Sequence, residues 1–288
     1  MFNEEYSRYL NLFNDELERA FDGLDDGAPN EIKDAMRYAV TGGGKRIRPI
    51  LLLATADILG VKLDKVLPFA VSIECIHSYS LVHDDLPAMD NDDYRRGKLS
   101  THKKFGEATG ILCGDALLNF AYENALSVVK NENDAKALKI LADYAGYSGM
   151  IKGQVLDLYY EGKDANGDAL FEIYYNKTAK LLTAPLLIAS TLAGGKHFDE
   201  LKSFGENLGL LFQITDDLLD ETGTLEKIGK SPKKDKMEEK LTSIKIFDLN
   251  GAKKIAEEYY EKAVFSIEKI PNSDFLISLA KLTLNRDK

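Results

Sequence analysis

Two clusters of aspartate constrain this chain more than any other feature. Asp84, Asp85 and Asp90 lie in its first third; Asp216, Asp217 and Asp220 lie in its last third. Each cluster sits beside an apolar, helix-like run, where uncompensated charge would be costly. Packed carboxylates repel one another, so a site of this kind needs cations. Hard oxygen ligands suit Mg²⁺, which takes one or two carboxylates and leaves its other positions to water and substrate phosphates. A chain of this kind folds so as to hold a polyphosphate between two metal-loaded walls.

Helical periodicity dominates the rest of the sequence. Tyr9, Leu10, Phe13, Leu17 and Phe21 fall on one face of an N-terminal helix. Residues 25–30 read as a loop, and 31–40 as a short helix ended by Gly42-Gly43-Gly44. Helices are then predicted over 49–59, begun by a proline in its first turn, and over 66–85, 110–129, 134–158, 170–192, 199–219 and 252–270. No segment shows several alternating runs of the β type. The reading is an all-α, single domain of roughly ten helices, with 227–240 as a polar, mobile loop.

The two clusters differ in spacing. Asp216 and Asp220 are four apart and share a helix face, with Asp217 about 100° round from Asp216. Gln213 lies one turn before Asp217. Asp84 and Asp90 are six apart and would not share a face on a straight helix. Pro87 intervenes, frees the carbonyl of His83 and bends or ends the helix, which can bring Asp90 back towards Asp84. Neither cluster has the alternating ligands, central glycine and terminal glutamate of an EF-hand.

Basic residues flank both clusters. Arg95 and Arg96 follow the first at once. Gly43-Gly44-Lys45-Arg46-Ile47-Arg48-Pro49 offers bidentate phosphate ligands after a glycine turn that lets backbone approach a ligand closely. Lys177 precedes an apolar helix, and Lys230, Lys233, Lys234 and Lys240 populate the late loop. His77, Ser80 and Asp84 share one helical face, so His77 is expected to look into the same cavity.

Composition excludes some classes. A net charge of −10, from 47 acidic and 37 basic residues, argues against a general nucleic-acid binder. Cys75 and Cys113 form no disulfide framework or metal spacing, so a reduced, cytoplasmic setting is expected. The N-terminus lacks the basic and apolar regions of a secretory leader. The apolar stretch 181–193 is too short for a membrane span and carries Pro185, Thr183, Ser190 and Thr191.

The segment Ile73-Glu74-Cys75-Ile76-His77-Ser78-Tyr79-Ser80-Leu81-Val82-His83-Asp84-Asp85-Leu86-Pro87-Ala88-Met89-Asp90, with Arg95-Arg96-Gly97, closely resembles the first aspartate-rich region of the trans-isoprenyl diphosphate synthases. Phe212-Gln213-Ile214-Thr215-Asp216-Asp217-Leu218-Leu219-Asp220 resembles the second. GGKRIRP at 43–49, KTA at 177–179 and GK at 229–230 match further motifs in the expected order. The six-residue spacing of the first motif is similar to that of the bacterial farnesyl diphosphate synthases. One departure is visible: after the second loop lysine the family usually reads a small residue, Thr, Tyr, Pro, whereas here Lys240 is followed by Leu241-Thr242-Ser243-Ile244.

The resemblance implies one polyprenyl synthetase domain over 1–288, with helices around a central cavity and the aspartate motifs on facing helices. It implies metal ligation by Asp84, Asp85, Asp90, Asp216, Asp217 and Asp220, with roughly three Mg²⁺ per site and Mn²⁺ as a substitute. It places the allylic diphosphate (dimethylallyl or geranyl) on Arg95, Lys177, Thr178, Gln213, Lys230 and Lys240. It places isopentenyl diphosphate on Lys45, Arg48, His77 and Arg96. Tyr79, five before the first aspartate, and Ser80 would limit chain length, which favours a fifteen-carbon product. A homodimer is implied. Other readings remain at this stage: a geranyl or geranylgeranyl diphosphate synthase, a terpene cyclase, or a non-catalytic prenyltransferase subunit. The isopentenyl-binding set argues against a cyclase, and two intact acidic motifs argue against a non-catalytic subunit.

Overall fold

The computed structural model describes residues 2–24, 27–222 and 240–286. Helices dominate throughout. The first is α1 (Phe2–Asp22), which buries Tyr9, Phe13, Leu17 and Phe21, a stripe of the period its sequence shows. α2 (Asn30–Thr41) and α3 (Ile47–Leu59) follow, then α4 (Leu63–Asp84). α3 and α4 are apolar on most sides because they run through the interior. A two-stranded hairpin comes next, β1 (Tyr94–Arg95) and β2 (Lys98–Leu99), paired antiparallel. Then come α5 (Thr101–Phe105), α6 (Glu107–Leu126), α7 (Glu132–Ala145), α8 (Met150–Tyr160) and α9 (Gly167–Tyr174). A π-helical turn (Tyr175–Ala179) joins α9 to α10 (Lys180–Leu192), and α11 (Phe198–Thr222) carries the second acidic cluster. Among the described residues two further helices follow, α12 (Ser243–Ile267) and α13 (Asp274–Leu284).

The middle of the fold is a chain of contacts. α4 packs on α3 and α6, α10 packs on α3, α7 and α11, and α11 packs on α12. The apolar stretch read as a core helix lies in α10, where Leu181 to Thr191 are all buried. No described helix is long and apolar enough to cross a membrane.

Several boundaries differ from the sequence expectation, each for a local reason. The helix predicted over 134–158 is two. The chain stops at Gly146 and restarts at Met150, and a Cβ at Gly149 would collide with the Tyr144 carbonyl oxygen. The last long helix begins at Ser243 instead of 252. Its backbone breaks at Asp248 (φ 58°), whose carboxylate accepts from the Asn250 and Gly251 amides at 2.8 Å and so caps the second half. α13 buries Phe275, Leu276, Leu279 and Ala280 at helical spacing, a pattern present in the sequence but not read there.

A buried ion pair ties α3 to α4. Arg46, with a left-handed backbone (φ 49°), donates to Glu74 at 2.6 Å and to the Val40 carbonyl at 2.6 Å. Their side chains are 5% and 2% exposed, so Arg46 is structural and turns away from the cavity that Arg48 faces. Removing one partner of such a pair strands the other charge in the interior. Glu74→Ala is expected to cost about 3–5 kcal/mol in urea unfolding. A loss below about 1 kcal/mol, the range of a solvent-exposed pair, would contradict the assignment.

Candidate active site

The first acidic cluster is made by a helix end. α4 stops at Asp84, and the Leu86 amide takes the His83 carbonyl at 3.1 Å, so that carbonyl is not left free as the Pro87 argument expected. The chain then doubles back. The Asp90 amide donates to the Asp84 carbonyl at 2.8 Å, and the Asp92 amide to the Asp85 carbonyl at 3.1 Å. This turn brings Asp90 to Asp84, as the spacing required. The three carboxylates meet different partners. Asp85 is buried against Arg95, whose Nε donates to it at 2.9 Å and whose Nη2 also reaches it. Asp90 lies 3.3 Å from Lys240 Nζ. Burial pushes the Asp84 carboxyl up to about 6, with Lys177 pulling it back and Asp90 adding to the rise.

The hairpin separates the two arginines. Arg96 (φ 53°) and Gly97 (φ 75°) both have positive φ, as a two-residue turn of the I′ kind needs. Arg95 stays on the strand and points at Asp85. Arg96 reaches the other way, donates to the Gly43 carbonyl and lies 3.5 Å from His77 Nε2. Gly44 (φ 123°) suits a backbone conformation that side chains rarely adopt, and its missing Cβ lets Arg96 Nη1 come within 2.6 Å of where one would stand. Arg48 completes the group. Burial, with Arg96 nearby, lowers the Arg48 guanidinium to about 10, and its Nε is buried with no hydrogen-bond partner. Burial, and then Arg48 and Arg96, push His77 well below its ordinary value and keep it neutral. Lys45 sits near Arg286 and Asp216. Burial and then Arg286 lower its ammonium, and Asp216 opposes them.

α11 presents the second cluster. Asp216 pairs with Arg286 at 2.7 Å, and the Arg286 guanidinium lies over the Phe212 ring at 4.4 Å. Asp217 is buried and accepts from Tyr174 and Ser243. Between the clusters, the π turn aims Lys177 and Thr178 inward. Two glycines make room for it. A Cβ at Gly153 on α8 would collide with the Lys177 backbone nitrogen, and one at Gly209 on α11 with Ala179. Lys177 Nζ pairs with Asp157 at 2.6 Å, and Thr178 Oγ1 donates to Gln213 Oε1 at 2.8 Å. Burial pulls the Lys177 ammonium down, but Asp157 and Asp84 outweigh it and hold it above its usual value.

These groups surround one cavity of about 880 Å³. Arg48, His77, Tyr79, Ser80, Asp84 and Asp90 line it, as do Arg95, Arg96, Lys177, Thr178 and Gln213, and also Asp216, Asp217, Asp220 and Lys240. Asp85 and Lys45 do not, and Lys230 lies outside the described residues, as does the loop up to 239. Ile76 is buried in the core and does not reach the cavity. At the apolar end, Tyr79 is buried, its hydroxyl has no hydrogen-bond partner, and its ring stands edge-on to His83 at 5.9 Å. Asp157, Tyr174, Ser243 and Arg286 were not found by sequence reasoning. Among the described residues no three carboxylate, imidazole or thiol groups form a ready-made metal cage. Asp84, Asp90, Asp216, Asp217 and Asp220 offer the cavity hard carboxylate oxygens, the donor type Mg²⁺ takes alongside ligand phosphates.

A model of the polyprenyl synthetase family matches residues 29–273. The farnesyl diphosphate synthase of Micrococcus luteus is 38% identical over 284 residues, covering 97% of this chain and 96% of that protein. The geranylgeranyl diphosphate synthase of Cyanophora paradoxa is 42% identical over 268 residues, 91% of this chain and 89% of that one. A solved geranyltransferase of Helicobacter pylori, complexed with magnesium and isoprenyl diphosphate, matches with a TM-score of 0.83 and 31% identity, covering 98% of this chain and 96% of the other. The chain belongs to the polyprenyl synthetase family and is a prenyltransferase of isoprenoid synthesis.

Asp84 gives a pH dependence. Its folded value, about 6, lies above the ordinary 3.8, so the folded state holds the proton more tightly than the unfolded chain. Stability from this group is therefore present at low pH and is lost as pH rises from about 4 to about 6. In chelator, Asp84→Asn should match the wild type near pH 4 and exceed it by on the order of 2 kcal/mol at pH 7 in urea unfolding. A gain that is larger at pH 4 than at pH 7 would contradict the burial argument.

Proposed function

We propose that the chain joins dimethylallyl or geranyl diphosphate head-to-tail to isopentenyl diphosphate, giving (2E,6E)-farnesyl diphosphate. One observation carries this reading. A single cavity brings the cations Arg48, Arg95, Arg96, Lys177 and Lys240 together with the carboxylates Asp84, Asp90, Asp216, Asp217 and Asp220. A diphosphate satisfies the first group and a divalent cation the second.

Asp84, Asp85, Asp90, Asp216, Asp217 and Asp220 are the residues to hold Mg²⁺, and five of the six line the cavity. Roughly three ions would be held there, with Mn²⁺ as a substitute. Bound there, the metal would neutralise the allylic diphosphate and make it a better leaving group. Arg95, Lys177, Lys240 and Lys230 bind that diphosphate. Arg48, Arg96, Lys45 and a neutral His77, donating one N–H, bind the isopentenyl diphosphate. The allylic C–O bond breaks, the isopentenyl double bond attacks the resulting cation to form the new C–C bond, and a proton leaves to the departing diphosphate. Oxygens of Lys177, Thr178 and Gln213 stabilise the cation. The apolar end of the cavity excludes water from it.

Tyr79 sets the product length in this reading, because its buried ring lines the cavity five residues, roughly 7.5 Å of helix rise, before Asp84. The whole chain, 1–288, acts as one domain, in the cytoplasm. A homodimer is supported by large apolar side chains that α6 leaves exposed outside the cavity, among them Ile111 at 48% and Leu112 at 59%. The likeness to a geranylgeranyl diphosphate synthase keeps a twenty-carbon product as the second reading.

Product analysis decides between them. Purified protein with Mg²⁺, dimethylallyl and isopentenyl diphosphates should yield mainly farnesyl diphosphate, and Tyr79→Ala should shift products to twenty carbons or more. Asp84→Ala or Asp216→Ala should lower turnover by about 10³-fold or more, since metal binding supplies several kcal/mol. Mainly twenty-carbon product from the wild type would favour the second reading. No condensation at all would refute both.

A further inference from the structure

A dense buried polar cluster joins three elements at Asp217. Tyr174 ends α9, Asp217 lies on α11 and Ser243 opens α12, and all three are buried. The Tyr174 hydroxyl donates to Asp217 Oδ2. Ser243 donates twice to the same oxygen, from its backbone N–H at 2.6 Å and its Oγ at 2.7 Å. The Ser243 amide also lies 2.9 Å from the Tyr174 hydroxyl oxygen, and Gln213 Nε2 lies 3.5 Å from Asp217 Oδ1. An ionised carboxylate has about four acceptor sites in all. Three donors on Oδ2 therefore exhaust that oxygen.

The donors come from two segments that both carry cavity cations. Tyr174 leads into the π turn with Lys177. Ser243 stands three residues after Lys240, whose Nζ reaches across to Asp90 at 3.3 Å. Leu241, between them, is buried, and Thr242 caps α12 by accepting from the Lys245 amide at 3.3 Å. The short connection has little slack, so where Ser243 is held decides where Lys240 can reach. It also gives a local account of the departure after Lys240, because Ser243 is small enough to share one carboxylate oxygen with the Tyr174 phenol.

We propose that Tyr174, Asp217 and Ser243 form a clasp that holds Lys240 across the mouth of the cavity, which makes Tyr174 and Ser243 positioning residues for the allylic diphosphate. The catalytic half of this proposal rests on the function proposed above; the clasp itself does not. Asp217 then anchors the clasp through Oδ2, while it still lines the cavity with Asp216 and Asp220.

The test compares Tyr174→Phe, Ser243→Ala, Lys240→Ala and the double variant Tyr174→Phe/Lys240→Ala. Hydrogen exchange over residues 240–245, without ligands, should quicken by about tenfold in Tyr174→Phe while exchange in α3 and α4 stays as in the wild type. That pattern separates a local clasp from general loss of fold. In steady-state kinetics, each clasp variant should lower kcat/KM for geranyl diphosphate by roughly tenfold and leave the KM for isopentenyl diphosphate within about twofold. The double variant should be no worse than Lys240→Ala alone, because the clasp acts through that lysine. Unchanged exchange over 240–245 would overturn the clasp. Losses that multiply in the double variant, or an equal rise in the isopentenyl KM, would overturn its action through Lys240. A wild type without condensing activity would refute the proposed function, while the exchange arm would still decide the clasp.

Discussion

Everything in this molecule is arranged around charge that the fold buries without fully balancing. Arg48 loses solvent and gains no hydrogen-bond partner at Nε, and Asp84 loses solvent while facing Asp90. Burying a charge is unfavourable unless it is paired and hydrogen-bonded, and here each excess faces the same space. The protein keeps the imbalance tolerable with its own ions. Arg95 takes Asp85, Arg286 takes Asp216, Lys240 takes Asp90, and Asp157 takes Lys177. A ligand that brings both negative oxygens and a divalent cation can exchange with these internal partners. Such partial pairing offsets part of the cost of the buried charge before any ligand binds.

The backbone devices that build the site are few and local. One helix stops and turns, which gathers Asp84 and Asp90. One hairpin turn sends Arg95 and Arg96 to different carriers, an aspartate and a backbone carbonyl. One π turn, accommodated by Gly153 and Gly209, places Lys177 and Thr178 between the two acidic clusters. The surrounding core makes these devices rigid, since α3, α4, α10 and α11 pack in sequence through the middle of the fold. Function is therefore held by helix ends and turns, while the helices themselves supply distance and stiffness.

Much of this was legible in the sequence, and the reasons are physical. The stripe on α1, the apolar α10 and the i, i+4 aspartates of α11 follow from helical period. The meeting of Asp84 and Asp90 follows from a proline placed where a straight helix would separate them. The split at Gly146 to Gly149 was written in the glycines, but the apolar pattern on either side concealed it. The π turn has no periodic signature, so the exact aim of Lys177 was not readable. Asp157, Tyr174 and Ser243 matter through partners 20, 43 and 26 residues away, and Arg286 through one 70 residues away. Such long-range pairs leave no trace in local spacing. Arg46 shows the opposite error: it lies inside a motif of phosphate-binding type, yet its left-handed backbone turns it inward to Glu74.

The central claim is that two aspartate walls and a cationic pocket share one ligand. Its most direct test is a crystal structure with Mn²⁺ and a non-ionisable allylic diphosphate analogue, with the metal located by anomalous scattering. The account predicts anomalous peaks bridging the analogue to Asp84 or Asp90 on one side and to Asp216 or Asp220 on the other, with Lys177 reaching the diphosphate. Manganese at neither cluster, or a diphosphate bound away from both, would contradict it.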